Sequence, residues 1–205
     1  MDQFHFVFAI FFMLLGPIKV LPAFAALTRD HDLDFRRKAA FQATAFAAVI
    51  CVFLILTSSN TLARYHIHRE SLKLAAGVVL LISALRVIFP NPQKEERGTT
   101  ADSPLAISLS PLATPLIVTP AGIAAIMIFV SIAHEEAGMY RAIIIALIAV
   151  LILDYLIMRF SGVIVRQPWV LPMIRLLGSV MLVIQVAGAM DLIVVALKDL
   201  GLFHR

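Results

Sequence analysis

Apolar positions in this chain come in long continuous runs. They show neither the alternation of a half-buried strand nor the narrow apolar stripe of a soluble helix. Six runs cover about 4–27, 39–58, 72–89, 105–132, 140–160 and 172–197, and a helix of roughly 20 such residues crosses about 30 Å of hydrocarbon. The intervening stretches are polar. Thr28 to Lys38 carries Arg29, Arg36, Arg37 and Lys38, Ser58 to Ser71 is mixed, and Asn91 to Ser103 is the most hydrophilic part of the chain. The pattern predicts an all-α integral membrane protein of six transmembrane helices.

Two of the runs are interrupted at matching points. The first holds Gly16-Pro17-Ile18-Lys19-Val20-Leu21-Pro22-Ala23, and the fourth holds Thr114-Pro115-Leu116-Ile117-Val118-Thr119-Pro120-Ala121. Residue 17 matches 115 and residue 22 matches 120, a shift of 98. Proline lacks an N–H and its ring clashes with the preceding turn, so each pair leaves carbonyls without helical partners. At membrane depth such backbone survives only where protein packs on it or a wet cavity adjoins it. Helices 1 and 4 are therefore expected to be broken.

The repeat extends further. Leu74 to Ile82 resembles Arg175 to Val183 at a shift of 101, with Gly77 matching Gly178. Segments one to three thus match four to six in order, and because three is odd the second copy enters the membrane from the opposite side. That is an inverted repeat, a construction in which broken helices mark the binding site. The expected organisation is a first three-helix repeat over 1–90, a polar connector over 91–104 and a second three-helix repeat over 105–205. Chance matching of low-complexity apolar sequence is the bland alternative.

Composition supports the membrane reading: 61% of the 205 residues are hydrophobic and 15% charged. The formal charge of +4 is loop charge that sets orientation, and nothing points to nucleic acid. With the N-terminus outside, the cytoplasmic loops hold about ten Lys and Arg against about six on the other face, so N-out, C-out is favoured. The first run is read as a retained segment, since no Lys or Arg precedes it. Cys51 is the single cysteine, which excludes an intramolecular disulfide. No metal-ligand spacing, Walker loop, dinucleotide glycine pattern or nucleophile elbow occurs, so neither a metal, a cofactor nor enzyme chemistry is expected.

The candidate substrate-binding residues are Gly16, Pro17, Lys19, Pro22, Thr114, Pro115, Thr119, Pro120 and Gly122. A broken helix offers free N–H groups and free carbonyls, which together suit a zwitterion. Lys19 either meets an anionic group in a cavity or snorkels to an interface. Thr114 and Thr119 either line the pathway or repair freed backbone. Asp154, in the middle of segment five, is the candidate for proton or ion coupling or a partner for Lys19, with a structural ion pair as the alternative. Gln185 is expected to hydrogen-bond between helices, and Gly77, Gly178 and Gly188 to permit close packing.

These stretches resemble the MarC family of six-segment inner-membrane proteins, the UPF0056 type, also called the small neutral amino acid transporter family. Its first break typically reads Asp-Pro-Ile-Gly-Asn-x-Pro, here Gly16 to Pro22. Its second reads Pro-Leu-Ala-x-Pro-Leu-x-x-Gly-Pro-Gly-x-Ile, here Pro111 to Ile123. The chain departs from the frame at Gly16, Lys19, Val20, Thr119 and Ala121, and Lys19 fills space where the family has glycine. The resemblance implies a bacterial inner-membrane location and proton-coupled movement of a small neutral amino acid such as glycine or alanine. A secondary transporter or exporter is thus the leading expectation, with membrane lipid and a small-molecule substrate as partners and a homo-oligomer left open. The alternative is a non-transporting membrane protein that binds lipid headgroups.

Overall fold

The computed structural model describes residues 3–64, 68–89, 103–133 and 138–201, and among them every regular element is helical. The helices are α1 (Gln3–Leu15), α2 (Pro17–Leu27), α3 (Leu33–Arg64), α4 (Arg69–Ile88), α5 (Pro104–Ile107), α6 (Pro120–Ala133), α7 (Met139–Arg159), α8 (Ser161–Ile164) and α9 (Val170–Asp199). An irregular segment, Ser108–Ile117, joins α5 to the stretch before α6. Five stretches are long and apolar enough to cross a membrane: Gln3–Leu27, Leu33–Ser58, Arg69–Ile88, Met139–Arg159 and Val170–Asp199. The pair Pro104–Ile117 and Pro120–Ala133, bent by 60°, makes a sixth if counted as one span. The connector expected over 91–104, apart from its last two residues, lies outside the described residues, as do Pro90, His66 and the polar stretch at His134 to Glu136.

Helix α3 begins at Leu33, six residues ahead of the apolar run that predicted it. Asp32 is the reason: its Oδ1 accepts from the Phe35 N–H at 2.9 Å, the bond of an N-cap, so the polar turn Asp34 to Lys38 is drawn into the helix. Further along, Ala40, Ala43, Ala47 and Cys51 recur at helical spacing and are all buried. This small-residue seam brings α3 close to its neighbours, the usual packing device where lipid cannot drive helices together. Phe41, Val49, Val52, Phe53 and Leu56 on the same helix are exposed. An apolar outer face is what hydrocarbon surroundings require.

Helix α7 is the central element, buried along Ile143, Leu147, Val150, Asp154 and Met158 and packed by α1, α2 and α3. Phe11 of α1 meets Phe129 of α6 edge to face, with ring centres 5.4 Å apart. At the rim, α4 and α9 form the most extensive helix pair. They run antiparallel, because Lys73 near the start of α4 pairs with Asp199 at the end of α9 at 2.9 Å. Gly77 permits their approach: a Cβ there would stand 2.9 Å from the Ala189 carbonyl oxygen and 2.7 Å from Ile193. Its sequence match Gly178 has only Ile18 at 3.7 Å, and Gly188 has open space. Of the three glycines expected to permit close packing, Gly77 alone stands at a tight helix contact.

Candidate functional site

The two proline pairs behave differently. Gly16 is extended (φ −78°, ψ 175°), so α1 stops at Leu15 and Pro17 opens α2 at its first position, where a missing N–H costs nothing. Pro22 then sits inside α2 without ending it. The interruption therefore precedes the first pair, and Lys19 is on a helix instead of in an unwound stretch between the prolines. In the second copy the backbone is extended at Ser110 (φ −144°, ψ 125°) and Thr114 (φ −135°, ψ 129°), and Pro120 opens α6. Here the irregularity is larger and accompanies the 60° bend.

Thr119 ties the two regions together. Its Oγ1 accepts from the Gly122 N–H at 3.0 Å, capping α6, and donates to the Leu14 carbonyl at 3.2 Å. That carbonyl lies in the last turn of α1, where the break at Gly16 removes the helical donor. One hydroxyl thus repairs both interruptions. Gly122 is buried against Leu15, whose Cδ2 would be 2.2 Å from a Cβ at this position, so it acts as a packing residue beneath the cap.

Between α2, α4, α9 and the second proline pair lies a cavity of about 930 Å³. Ile18, Lys19 and Pro22 line it from the first region, and Pro115, Leu116, Thr119 and Pro120 from the second. Ser83 and Arg86 of α4 and Arg175 and Ser179 of α9 add polar groups to otherwise apolar walls. Lys19 Nζ donates to Gln185 Oε1 at 3.2 Å, and Gln185 Nε2 donates to the Leu80 carbonyl at 3.2 Å. Gln185 is 2% exposed. Among the described residues no carboxylate forms an ion pair with Lys19.

The expected site residues therefore separate. Lys19, Pro22, Pro115, Thr119 and Pro120 share the cavity wall. Gly16, Pro17, Thr114 and Gly122 shape the backbone behind it and are not among the lining residues. Asp154 stands apart on α7, fully buried, with neither carboxylate oxygen hydrogen-bonded. It does not pair with Lys19, whose partner is the neutral Gln185. Four polar groups of the wall, Ser83, Arg86, Arg175 and Ser179, come from helices that carry no proline break. Nothing in their local sequence singles them out, because only the packing of α4 on α9 brings them here.

No solved structure matches this chain. A UPF0056 membrane protein of Archaeoglobus fulgidus is 29% identical over 175 residues, covering 83% of this chain and 77% of the relative. A UPF0056 membrane protein of Buchnera aphidicola subsp. Schizaphis graminum is 19% identical over 182 residues, 87% of this chain and 90% of the relative. The UPF0056 inner membrane protein YhgN of Escherichia coli (strain K12) is 23% identical over 137 residues, 66% of each chain. The model of the MarC family of integral membrane proteins matches residues 1–200, and the chain belongs to that family.

Proposed function

We propose that this protein is a secondary transporter or exporter of a small zwitterion, a neutral amino acid such as alanine or glycine, in a bacterial inner membrane. The observation that carries the reading is the cavity whose wall is contributed by both proline regions, with Lys19, Thr119 and Arg175 as its hydrogen-bonding groups. Paired interruptions at corresponding places in two halves are where transporters hold their cargo. The antiparallel contact of α4 with α9, the third helix of each expected repeat, is in keeping with two halves of opposite topology. The location follows the printed name of the Escherichia coli relative, an inner membrane protein.

In this reading the Lys19 amine and Arg175 guanidinium meet the substrate carboxylate. The ammonium is left to the bent segment, which brings Pro115 and Leu116 to the cavity wall. Asp154 is the proton carrier: a carboxyl isolated inside a membrane bundle is a functional candidate by default, and this one has no structural partner. Its separation from the cavity makes the coupling indirect, through α7 and its contact with α2. Uptake of labelled alanine and glycine into proteoliposomes, with and without a pH gradient, tests the proposal. Flux that rises with the gradient supports it, and absence of flux for every small zwitterion refutes it.

A second reading has one observation in its favour. The cavity opens beside exposed apolar residues of α4, Ile82, Val87 and Ile88, so a lipid headgroup can enter it and meet Lys19. Co-purified anionic lipid that is lost on Lys19→Ala, with no amino acid flux in the parent, would favour that reading.

A further inference from the structure

At one end of the bundle the α2–α3 turn and the α7–α9 connection converge around a second cavity of about 1030 Å³. Arg29, Arg36 and Arg37 line it from one side and Arg159, Arg166 and Arg175 from the other, with no Asp or Glu in the wall. Two of the six are occupied. Arg36 donates from Nε to the Thr28 carbonyl at 3.0 Å and from Nη2 to the Arg29 carbonyl at 3.1 Å, fastening the turn. Arg37 pairs loosely with Asp34 at 3.9 Å. Among the described residues Arg29, Arg159, Arg166 and Arg175 have no ion pair. Four unneutralised guanidiniums around one hollow repel one another unless an anion joins them.

The other feature of the wall is apolar. Leu33, Phe160 and Val163 line the same cavity and are 66%, 54% and 67% exposed. A site for a soluble anion has no use for such a rim, whereas a phospholipid presents a phosphate and an apolar body together. Basic pockets between membrane helices hold anionic headgroups for this reason, and guanidinium forks match phosphate oxygens in geometry as well as charge. We infer that this cavity seats the phosphate of an anionic phospholipid, with Arg29, Arg159 and Arg166 as its ligands; Arg175, which also lines the central cavity, is left to the substrate. Pro22 and Arg175 line both cavities, so the two sites are neighbours. The inference stands apart from the transport reading, because the lipid is detected by binding without any flux.

The test titrates the purified full-length protein in neutral detergent with phosphatidylglycerol, with phosphatidylcholine and with inorganic phosphate, read by native mass spectrometry. Phosphatidylglycerol binds the parent and phosphatidylcholine does not. The double variant Arg159→Gln/Arg166→Gln weakens binding by roughly twentyfold, and Arg29→Gln, on the facing wall, by about fivefold. Arg141→Gln, at the opposite end of α7, changes nothing. Thermal unfolding of each variant confirms that it is folded. Unchanged phosphatidylglycerol binding in folded variants, equal binding of phosphatidylcholine, or equal loss in Arg141→Gln would overturn the inference. So would inorganic phosphate displacing the lipid at equal concentration, which would make the cavity a site for soluble anions.

Discussion

The Lys19 amine and the Gln185 side-chain oxygen are 3.2 Å apart, and this contact links α2 to the α4–α9 pair at the wall of the central cavity. A lysine held by a neutral amide keeps its charge available to something else, whereas a carboxylate partner would cancel it. Lys19→Ala is accordingly expected to reduce amino acid uptake by about tenfold or more, the loss of one charge-assisted hydrogen bond, and to cost about 1–2 kcal/mol of stability because the buried Gln185 oxygen loses its donor. Lys19→Arg should recover part of the uptake. Undiminished uptake in folded Lys19→Ala would show that Lys19 has no part in binding.

Gln185 serves stability as well as position. Replacing it by Leu removes the donor to the Leu80 carbonyl and the acceptor for Lys19, both within the bundle. The expected cost is about 1–3 kcal/mol, read as a lowered melting temperature in detergent. Gln185→Glu also loses the donor to the Leu80 carbonyl, so it should cost a similar amount of stability, but it forms an ion pair with Lys19 and should lower uptake further than Gln185→Leu does, a difference that a purely structural glutamine would not produce.

Asp154 provides the coupling test. Asp154→Asn keeps the shape and removes the exchangeable proton, so uptake in the absence of a gradient should persist while its acceleration by a pH gradient disappears. A gradient response equal to that of the parent would assign Asp154 a structural role.

Thr119 bonds to both Gly122 and Leu14, so Thr119→Val should cost about 1–2 kcal/mol through loss of a helix cap and an unpaired carbonyl. Thr119→Ser, which keeps the hydroxyl, should be close to neutral. Equilibrium unfolding of the two variants decides.

The glycine pair separates packing from sequence symmetry. Gly77→Ala pushes a methyl group onto the Ala189 carbonyl and Ile193, and is expected to cost about 1–3 kcal/mol. Gly178→Ala, with nothing nearer than 3.7 Å, should be neutral or gain slightly from helix propensity. Equal effects at the two positions would contradict the geometry of the α4–α9 contact.

The spans were legible because each reduces to a count of apolar residues against bilayer thickness. Their starts were not: the Asp32 cap adds a polar turn to α3, a local bond that outweighs the hydrophobic boundary. The place of the proline regions was also legible, and their shape only in part. Pro17 can start a helix as readily as break one, and Gly16, not the stretch around Lys19, takes the extended conformation. At the site, Lys19 and Thr119 stood out as polar groups between prolines. The role of Gln185 needed the register of α9 against α4. Of the arginines of the basic cavity, Arg29, Arg36 and Arg37 read as ordinary loop charge and Arg159 and Arg175 fell inside apolar runs, and only the meeting of two regions more than 120 residues apart in sequence brings them together.

The most direct test of the central claim, that cargo passes through the cavity shared by the two proline regions, uses a single thiol. Cys51 is the chain's one cysteine and is buried, so Cys51→Ala combined with Leu116→Cys leaves one reactive group on the cavity wall. Labelled alanine uptake into proteoliposomes is measured before and after treatment with a bulky methanethiosulfonate reagent. The account predicts that uptake is abolished and that excess unlabelled substrate slows the modification. Uptake that continues unchanged in fully modified protein would contradict it.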